Sequence, residues 1–473
     1  MNKKRRERYI DYAVLTYTMV FILYSFVGRI IPLYTAIPSN INNIIFIVFA
    51  VWGVILILLD IFSVKNLLKS SYCWILYCFV FIMAVSSLVN IKYGLVDNVK
   101  TIVWTIIQIA IFYSVYTRFK KEQMMNFIHV MFHIISWIWT IAILYALKQF
   151  VVMESYGVEI WKGEWKYQGF RENRLFGIFN DPNYAAVTSI YVVFMLCLIA
   201  KKTKKKWLRA ICLISCICHG AYVVLSGSRT AKICAIVSVI VFVFLILKNR
   251  FLEKKYYISV ISRFLTAALA AIIVIVSGLL AKEVLPNLPK AYAAHWVANQ
   301  SNNDSDEEDV LRTESAEKIQ NLDKNYFLQR QDVKESQSSN TRQRIWNNYI
   351  KGVEGRYFIG ASPRNVEKYM KDEHPRIYAL NNGYETHNGY LSVFVGTGIV
   401  GLSIIIMFMI LKGIRLFKYS FGEKEIDSDF VFLVTIIFII LVYTFFFTEL
   451  FFVNNLTTSI FWCLLGCLAY WTD

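Results

Sequence analysis

The residues best suited to chemistry sit where polar sequence meets apolar sequence. About a hundred hydrophilic residues, Lys282 to Thr386, lead into His387-Asn388-Gly389-Tyr390-Leu391 and then directly into the apolar run Leu391–Leu411. Histidine is the side chain whose ordinary pKa lets it take or give a proton near neutrality. Arginines are natural clamps for phosphate, because the guanidinium fork matches its oxygens in pairs. The hydrophilic stretch supplies Arg342, Arg344, Arg356 and Arg364, and Glu385 stands two residues before the histidine. Together these types describe proton transfer on a phosphate-bearing substrate at a membrane surface. The competing reading is a structural histidine at an interface.

Three further places outside the apolar runs carry candidate residues. Arg171-Glu172-Asn173-Arg174 precedes Asp181-Pro182-Asn183, a helix start in which Asp caps and Pro fits the first turn. Arg171 and Arg174 lie close to that start, either as phosphate ligands or as arginines that snorkel from a well-capped loop. Leu225-Ser226-Gly227-Ser228-Arg229-Thr230-Ala231 is a tight turn between two long apolar runs. Arg229 therefore lies at the membrane–water boundary, as a functional cation or as a partner for lipid headgroups. Thr341–Gly360 opens with Arg342, Arg344 and Trp346 and reads as an amphipathic helix, for which a solvated basic face is the bland alternative. Gly396, Gly398 and Gly401 in the following span permit close helix approach. His129 and His133 have a metal-ligand spacing but lack nearby Cys or acidic partners, and Cys212, Cys216, Cys218 and His219 lack the spacing of zinc sites. No metal site is expected, and no cofactor motif is present.

The elements that must position these residues follow from composition. Of 473 residues, 57% are apolar and 18% charged, well away from the usual soluble balance. The apolar residues fall into twelve runs of membrane-crossing length, at about 10–28, 42–62, 72–90, 101–117, 126–149, 184–200, 208–226, 230–248, 257–281, 390–411, 430–448 and 456–472. The sequence thus predicts an all-α polytopic membrane protein. A transmembrane region spans 1–281, a large extracytoplasmic loop 282–389 and a second transmembrane region 390–473. The acidic, Ser-rich stretch at 299–340 reads as a flexible or weakly helical insert. None of the nine cysteines lies in that loop, so no disulfide framework holds it. The net charge of +17 is explained by basic clusters in every second connection, at 3–8, 65–69, 118–121, 201–209, 248–263 and 412–424. That alternation places both termini in the cytoplasm and the 150–183 and 282–389 loops outside. It leaves no role for nucleic acid.

The ordered set Arg174…Gly177…Asn180–Asn183, Ser228-Arg229-Thr230-Ala231, Thr341-Arg342-Gln343-Arg344-Ile345-Trp346…Ile359-Gly360 and His387-Asn388…Leu391…Gly398…Gly401-Leu402 resembles the O-antigen ligase and polymerase superfamily. The stretch at 299–340 departs from that pattern. The resemblance implies a glycosyltransferase of the bacterial cytoplasmic membrane that uses undecaprenyl-diphosphate-linked oligosaccharide on the outer leaflet. By position it implies that Arg174 and Arg229 bind the diphosphate and that His387 is the essential histidine. Arg342 or Arg344 fills a further family position, Arg171 is a neighbouring candidate, and Asn388, Glu385 and Asp181 support the site. The expected reaction is metal-independent and inverting, with a sugar or glycolipid acceptor, membrane lipids around it, and a flippase and chain-length regulator as partners. Polymerase is the favoured reading, because nothing in the long loop suggests a fixed macromolecular dock, with ligase and then flippase as the alternatives. A polymerase passes the chain to the next lipid-linked repeat unit, a ligase passes it to lipid A-core, protein or wall polymer, and a transporter forms no glycosidic bond.

Overall fold

A computed structural model of the chain describes residues 3–63, 68–161, 163–251, 256–300, 319–322, 338–422 and 425–473. The first half comprises α1 (Lys3–Tyr24), α2 (Ile31–Ala36), α3 (Ser39–Ser63), α4 (Cys73–Val89), α5 (Val96–Ile107) and α6 (Lys121–Val151). Strands β1 (Ser155–Trp161), β2 (Glu164–Arg171) and β3 (Arg174–Gly177) follow. Next come α7 (Pro182–Lys202), α8 (Lys206–Leu225), α9 (Arg229–Ile246), α10 (Tyr256–Val284) and α11 (Asn287–Gln300). The last third contains α12 (Ser338–Gly352), α13 (Val366–Glu373), α14 (Tyr378–Asn381), α15 (Gly389–Phe421), α16 (Ser428–Thr444), α17 (Leu456–Cys467) and α18 (Ala469–Thr472).

Each apolar run of the sequence is helical over most of its length, as it must be where lipid offers the backbone no hydrogen-bond partner. Eight helices among the described residues are long and apolar enough to cross a membrane: α3, α5 with its π-helical continuation to Tyr113, α6, α7, α8, α9, α10 and α15. The other four expected spans are not confirmed: α4, α16 and the 456–472 segment are shorter, and α1, with its basic start, is not among the eight. The centre of the bundle is α7, α16 and α17, which bury side chains around nearly their whole circumference. By contrast α10 exposes Leu269, Ile272, Ile273, Val276 and Leu280, the apolar surface expected where a helix faces lipid.

Two expectations are corrected. The chain is not wholly α-helical: β1, β2 and β3 form an antiparallel sheet in that order, with Tyr156 opposite Gln168 and Arg171 opposite Arg174. The turn between β2 and β3 holds Glu172 and Asn173 at φ of 54° and 59°, the left-handed pair that lets a two-residue turn match the strand twist. The glycines of α15 do not serve helix-on-helix packing alone. Gly398 has φ 67° and ψ −171°, so the helix is interrupted there, and the 357–362 loop enters the gap. Ile399 N–H donates to Tyr357 O at 2.8 Å, and Ala361 N–H donates to Val395 O at 2.9 Å. Ser86 Oγ closes the junction by donating to Gly396 O at 2.9 Å. The expected insert at 299–340 lies almost entirely outside the described residues.

Candidate functional site

His387 stands at the mouth of α15, and its setting is built by three segments. Asn388 caps the helix, its Oδ1 accepting from Tyr390 N and Leu391 N, each at 3.0 Å. Such a cap satisfies N–H groups that the first helical turn leaves without partners. His387 takes φ 46°, a left-handed conformation in which Asn, Asp and His are over-represented among non-glycine residues. The second segment is α12, which lies along the chain leading to the histidine. Trp346 Nε1 donates to Thr386 O at 3.1 Å and Tyr349 OH donates to Tyr384 O at 2.8 Å.

That docking turns the face of α12 that carries Arg342 toward the His387 segment. Arg342, Trp346 and Tyr349 follow the four-and-three spacing of one helix face, whereas a residue two positions from Arg342 points elsewhere. Accordingly Arg342 is partly buried and Arg344 is exposed. The Arg342 guanidinium lies 5.5 Å from the Phe446 ring and 5.7 Å from the Phe447 ring. Phe447 meets the His387 ring edge-on at 6.3 Å. The third segment is therefore the 445–455 connection after α16. Its Thr448 Oγ1 donates to Glu385 Oε2 at 3.1 Å. Burial holds the imidazole of His387 below its ordinary value, Glu385 pulls it back up, Arg342 pushes it further down, and Asp181 again raises it. Arg356 lies against Tyr369 and Arg364 is bonded to Thr101 Oγ1 and Phe452 O. Of the four loop arginines, Arg342 is the one seen to face the histidine.

Asp181, whose charge reaches His387, belongs to the segment that holds the arginines of the first half. Its Oδ1 accepts from Asn183 N at 2.6 Å and caps α7. Asn183 Oδ1 in turn accepts from Arg174 at 2.9 Å. Arg174 is 5% exposed, and its Nε donates to Ser226 O at 2.9 Å, in the turn that carries Arg229. Ser228 caps α9, accepting from Ala231 N at 3.2 Å, and leaves Arg229 exposed at the first helical position. Hydrogen bonds thus join Asp181, Asn183, Arg174 and the Arg229 turn, and the Asp181 carboxylate raises the pKa of the His387 imidazole through its charge. Arg171 stands apart from it: its guanidinium stacks 3.5 Å from the Tyr167 ring and approaches Glu172 at 3.7 Å. Asp181, Ser228, Asn388 and Asn455 each cap a helix start, those of α7, α9, α15 and α17. Helix N-termini favour anions.

Reading the sequence missed Arg29, Tyr184, Phe447 and Glu449. The Arg29 guanidinium lies 3.6 Å from the Tyr184 ring and pairs with Glu449 across most of the chain length. The available signal was weak: Glu449 is an acid between two apolar runs, and Arg29 follows the first run directly. The demoted histidines have protein partners. His129 approaches Asp429 at 3.6 Å, His133 Nδ1 accepts from Trp137 Nε1, and His219 bonds Thr140 at 3.1 Å. Among the described residues no group of three or more His, Cys, Asp or Glu is arranged to hold a metal ion.

Comparison with known proteins bears on the same region. No curated protein matches the chain. The family model described as O-antigen ligase matches residues 213–406, which takes in the Arg229 turn, α12, His387 and the interrupted α15. The chain is a membrane protein by its apolar helices, and that match supports the O-antigen ligase and polymerase superfamily over residues 213–406.

Proposed function

We propose that the protein transfers an undecaprenyl-diphosphate-linked oligosaccharide at the outer face of the cytoplasmic membrane, with both termini inside and the 282–389 loop outside. In this reading it polymerises the repeat units of a surface polysaccharide. The observation that carries the reading is a half-buried His387 faced by Arg342 and reached by the charge of Asp181, whose helix start is hydrogen-bonded through Asn183 to Arg174 and the Arg229 turn. The acceptor hydroxyl attacks the anomeric carbon as His387 takes its proton. The carbon–oxygen bond to the diphosphate breaks, and undecaprenyl diphosphate leaves with the bonding electrons. Direct displacement inverts the anomeric centre. Arg174, Arg229 and Arg342 stabilise the growing phosphate charge. These side chains suffice for the step as drawn, so we read it as metal-independent. Asp181, Glu385 and Asn388 are supporting residues in this scheme, and Arg171 and Arg344 stand outside it.

Ligation is the second reading, favoured by the description of the matched family model. Complementation of a strain lacking the gene with Arg174→Ala, Arg229→Ala and His387→Ala separates the two by surface glycan length. Single repeats with intact export mark a polymerase. Long lipid-linked chains that accumulate unattached mark a ligase. Wild-type glycan from all three variants would sink the enzyme reading and leave transport or scaffolding. Arg174→Ala should cost on the order of 10²–10³ in rate, the usual loss for a donor aimed at developing charge. Arg174→Lys should recover little, because one ammonium cannot replace the fork that meets Ser226 and Asn183 together.

The pH profile gives an independent test. A lowered His387 keeps its imidazole neutral below pH 6.5, so activity should persist there and fall as the pH passes below the histidine's own value. Arg342 lowers that value and Glu385 raises it. Arg342→Gln should therefore move the acid limb of the transfer rate to higher pH, and Glu385→Gln should move it lower. Shifts in the opposite directions would remove His387 from the role of base.

A further inference from the structure

Phe447, Thr448 and Glu449 are consecutive, and each side chain engages a different part of the site. Phe447 packs edge-on to His387, Thr448 donates to Glu385, and Glu449 pairs with Arg29. The pair is largely buried, with side chains 12% and 18% exposed, and it is forked: Arg29 Nη1 donates to Glu449 Oε1 at 3.2 Å while Nη2 donates to Oε2. Asn455 Nδ2 donates to the same carboxylate at 2.6 Å, and Thr458 Oγ1 donates to Glu449 O at 2.9 Å. Arg29 is equally tied on its other side. Its carbonyl accepts from Asn180 N at 3.2 Å, Ile31 N–H donates to Ile178 O at 2.8 Å, and its guanidinium covers the Tyr184 ring at 3.6 Å. These contacts flank Asp181. The ion pair therefore spans the segment that bears Asp181 and the segment that covers His387.

We propose that Arg29 and Glu449 are positioning residues that hold the Phe447–Glu449 segment over His387 and in register with the Asp181 helix start. The inference deepens the assignment of His387 as the base and rests on it. A forked arginine–carboxylate pair fixes direction as well as distance, which a pair of neutral side chains does not. Merely structural pairs behave differently: exchanging both charges of a buried pair for uncharged side chains of similar size is often neutral, whereas removing one partner strands a charge. That difference supplies the test. The groups that face His387 are Glu385, Arg342 and Asp181, and none of them is altered by it.

The full chain, reconstituted in lipid nanodiscs, is treated with diethyl pyrocarbonate across pH 5 to 8, and modification of the His387 peptide is followed by mass spectrometry alongside thermal melting. Wild type, Arg29→Met, Glu449→Gln and the Arg29→Met/Glu449→Gln double variant are compared. The expected result is faster His387 modification at neutral pH, by several-fold, in both single variants, with its midpoint moving up toward the ordinary 6.5. The double variant should melt like wild type yet keep the exposed, shifted His387. A double variant with the wild-type His387 profile would overturn the proposal, as would single variants that melt lower but leave that profile unmoved. If the single variants do not fold, the double variant alone decides between these outcomes. The readout needs no glycan, so absent transfer activity counts against the proposed function and leaves this inference to its own measurement.

Discussion

Replacing His387 is expected to lower transfer by about 10²–10⁴, the contribution of a positioned general base, and to leave the protein folded. The choice of substitution matters because of the backbone. His387 sits at φ 46°, where alanine is strained and asparagine is tolerated. His387→Asn therefore keeps the turn and removes the proton acceptor, whereas His387→Ala mixes lost chemistry with backbone strain. Glycan length in a complemented strain should collapse with both variants, while membrane abundance and melting temperature of His387→Asn stay close to wild type. Normal glycan with His387→Asn would show that the residue caps and packs rather than reacts. The distinction from a purely structural histidine is physical: burial and Arg342 both hold this imidazole neutral, and a neutral ring at pH 7 is the form that can accept a proton.

How far the sequence reveals this arrangement depends on which forces are local. The helices are legible because lipid compels each segment to satisfy its own backbone, and apolar runs record that demand directly. His387 is legible because it marks the step from polar to apolar sequence. Asp181-Pro182-Asn183 is legible as a helix start, and the structure adds that Asn183 also holds Arg174. Choosing Arg342 over Arg344 requires the phase of α12 against 384–386, and that phase is set by Trp346 and Tyr349 contacts rather than by composition. The sheet at 155–177 left a readable trace in the alternation of Tyr156 and Val158, then Trp165 and Tyr167. Reading the segment only as a loop between spans passed over it. The Arg29–Glu449 pair left only two charges beside apolar runs, with nothing to link them. Its partners lie 420 positions apart, and only the assembled bundle makes them neighbours. The run taken as one span at 430–448 likewise hid the fact that α16 ends at Thr444 and hands Phe447 and Thr448 to the site.

Gly398→Ala should be the most damaging substitution outside the histidine, and its cost should appear first as lost stability. At φ 67° and ψ −171° the backbone occupies a region that is essentially restricted to glycine, and a side chain there costs about 1–3 kcal/mol. A Cβ at this position would also lie 2.2 Å from Phe358 O, so the 357–362 loop must leave the gap it fills. Adding the lost docking brings the expected destabilisation to roughly 4 kcal/mol, in the range that single substitutions reach only through such mechanisms. Gly413 provides the control within the same helix, since nothing lies within 4 Å of its Cβ position. Gly413→Ala should therefore stabilise the helix by about 0.5–1 kcal/mol. The contrast is measured by thermal melting of both variants in lipid nanodiscs. Equal melting temperatures would mean that the interruption at Gly398 is incidental. The functional consequence follows from geometry: residues 389–397 lie between the interruption and His387, and Ala361 and Ser86 bond to Val395 and Gly396 on that short segment. Releasing the loop frees the segment that aims the histidine, so Gly398→Ala protein that remains in the membrane should have lost transfer even though every candidate catalytic side chain is present.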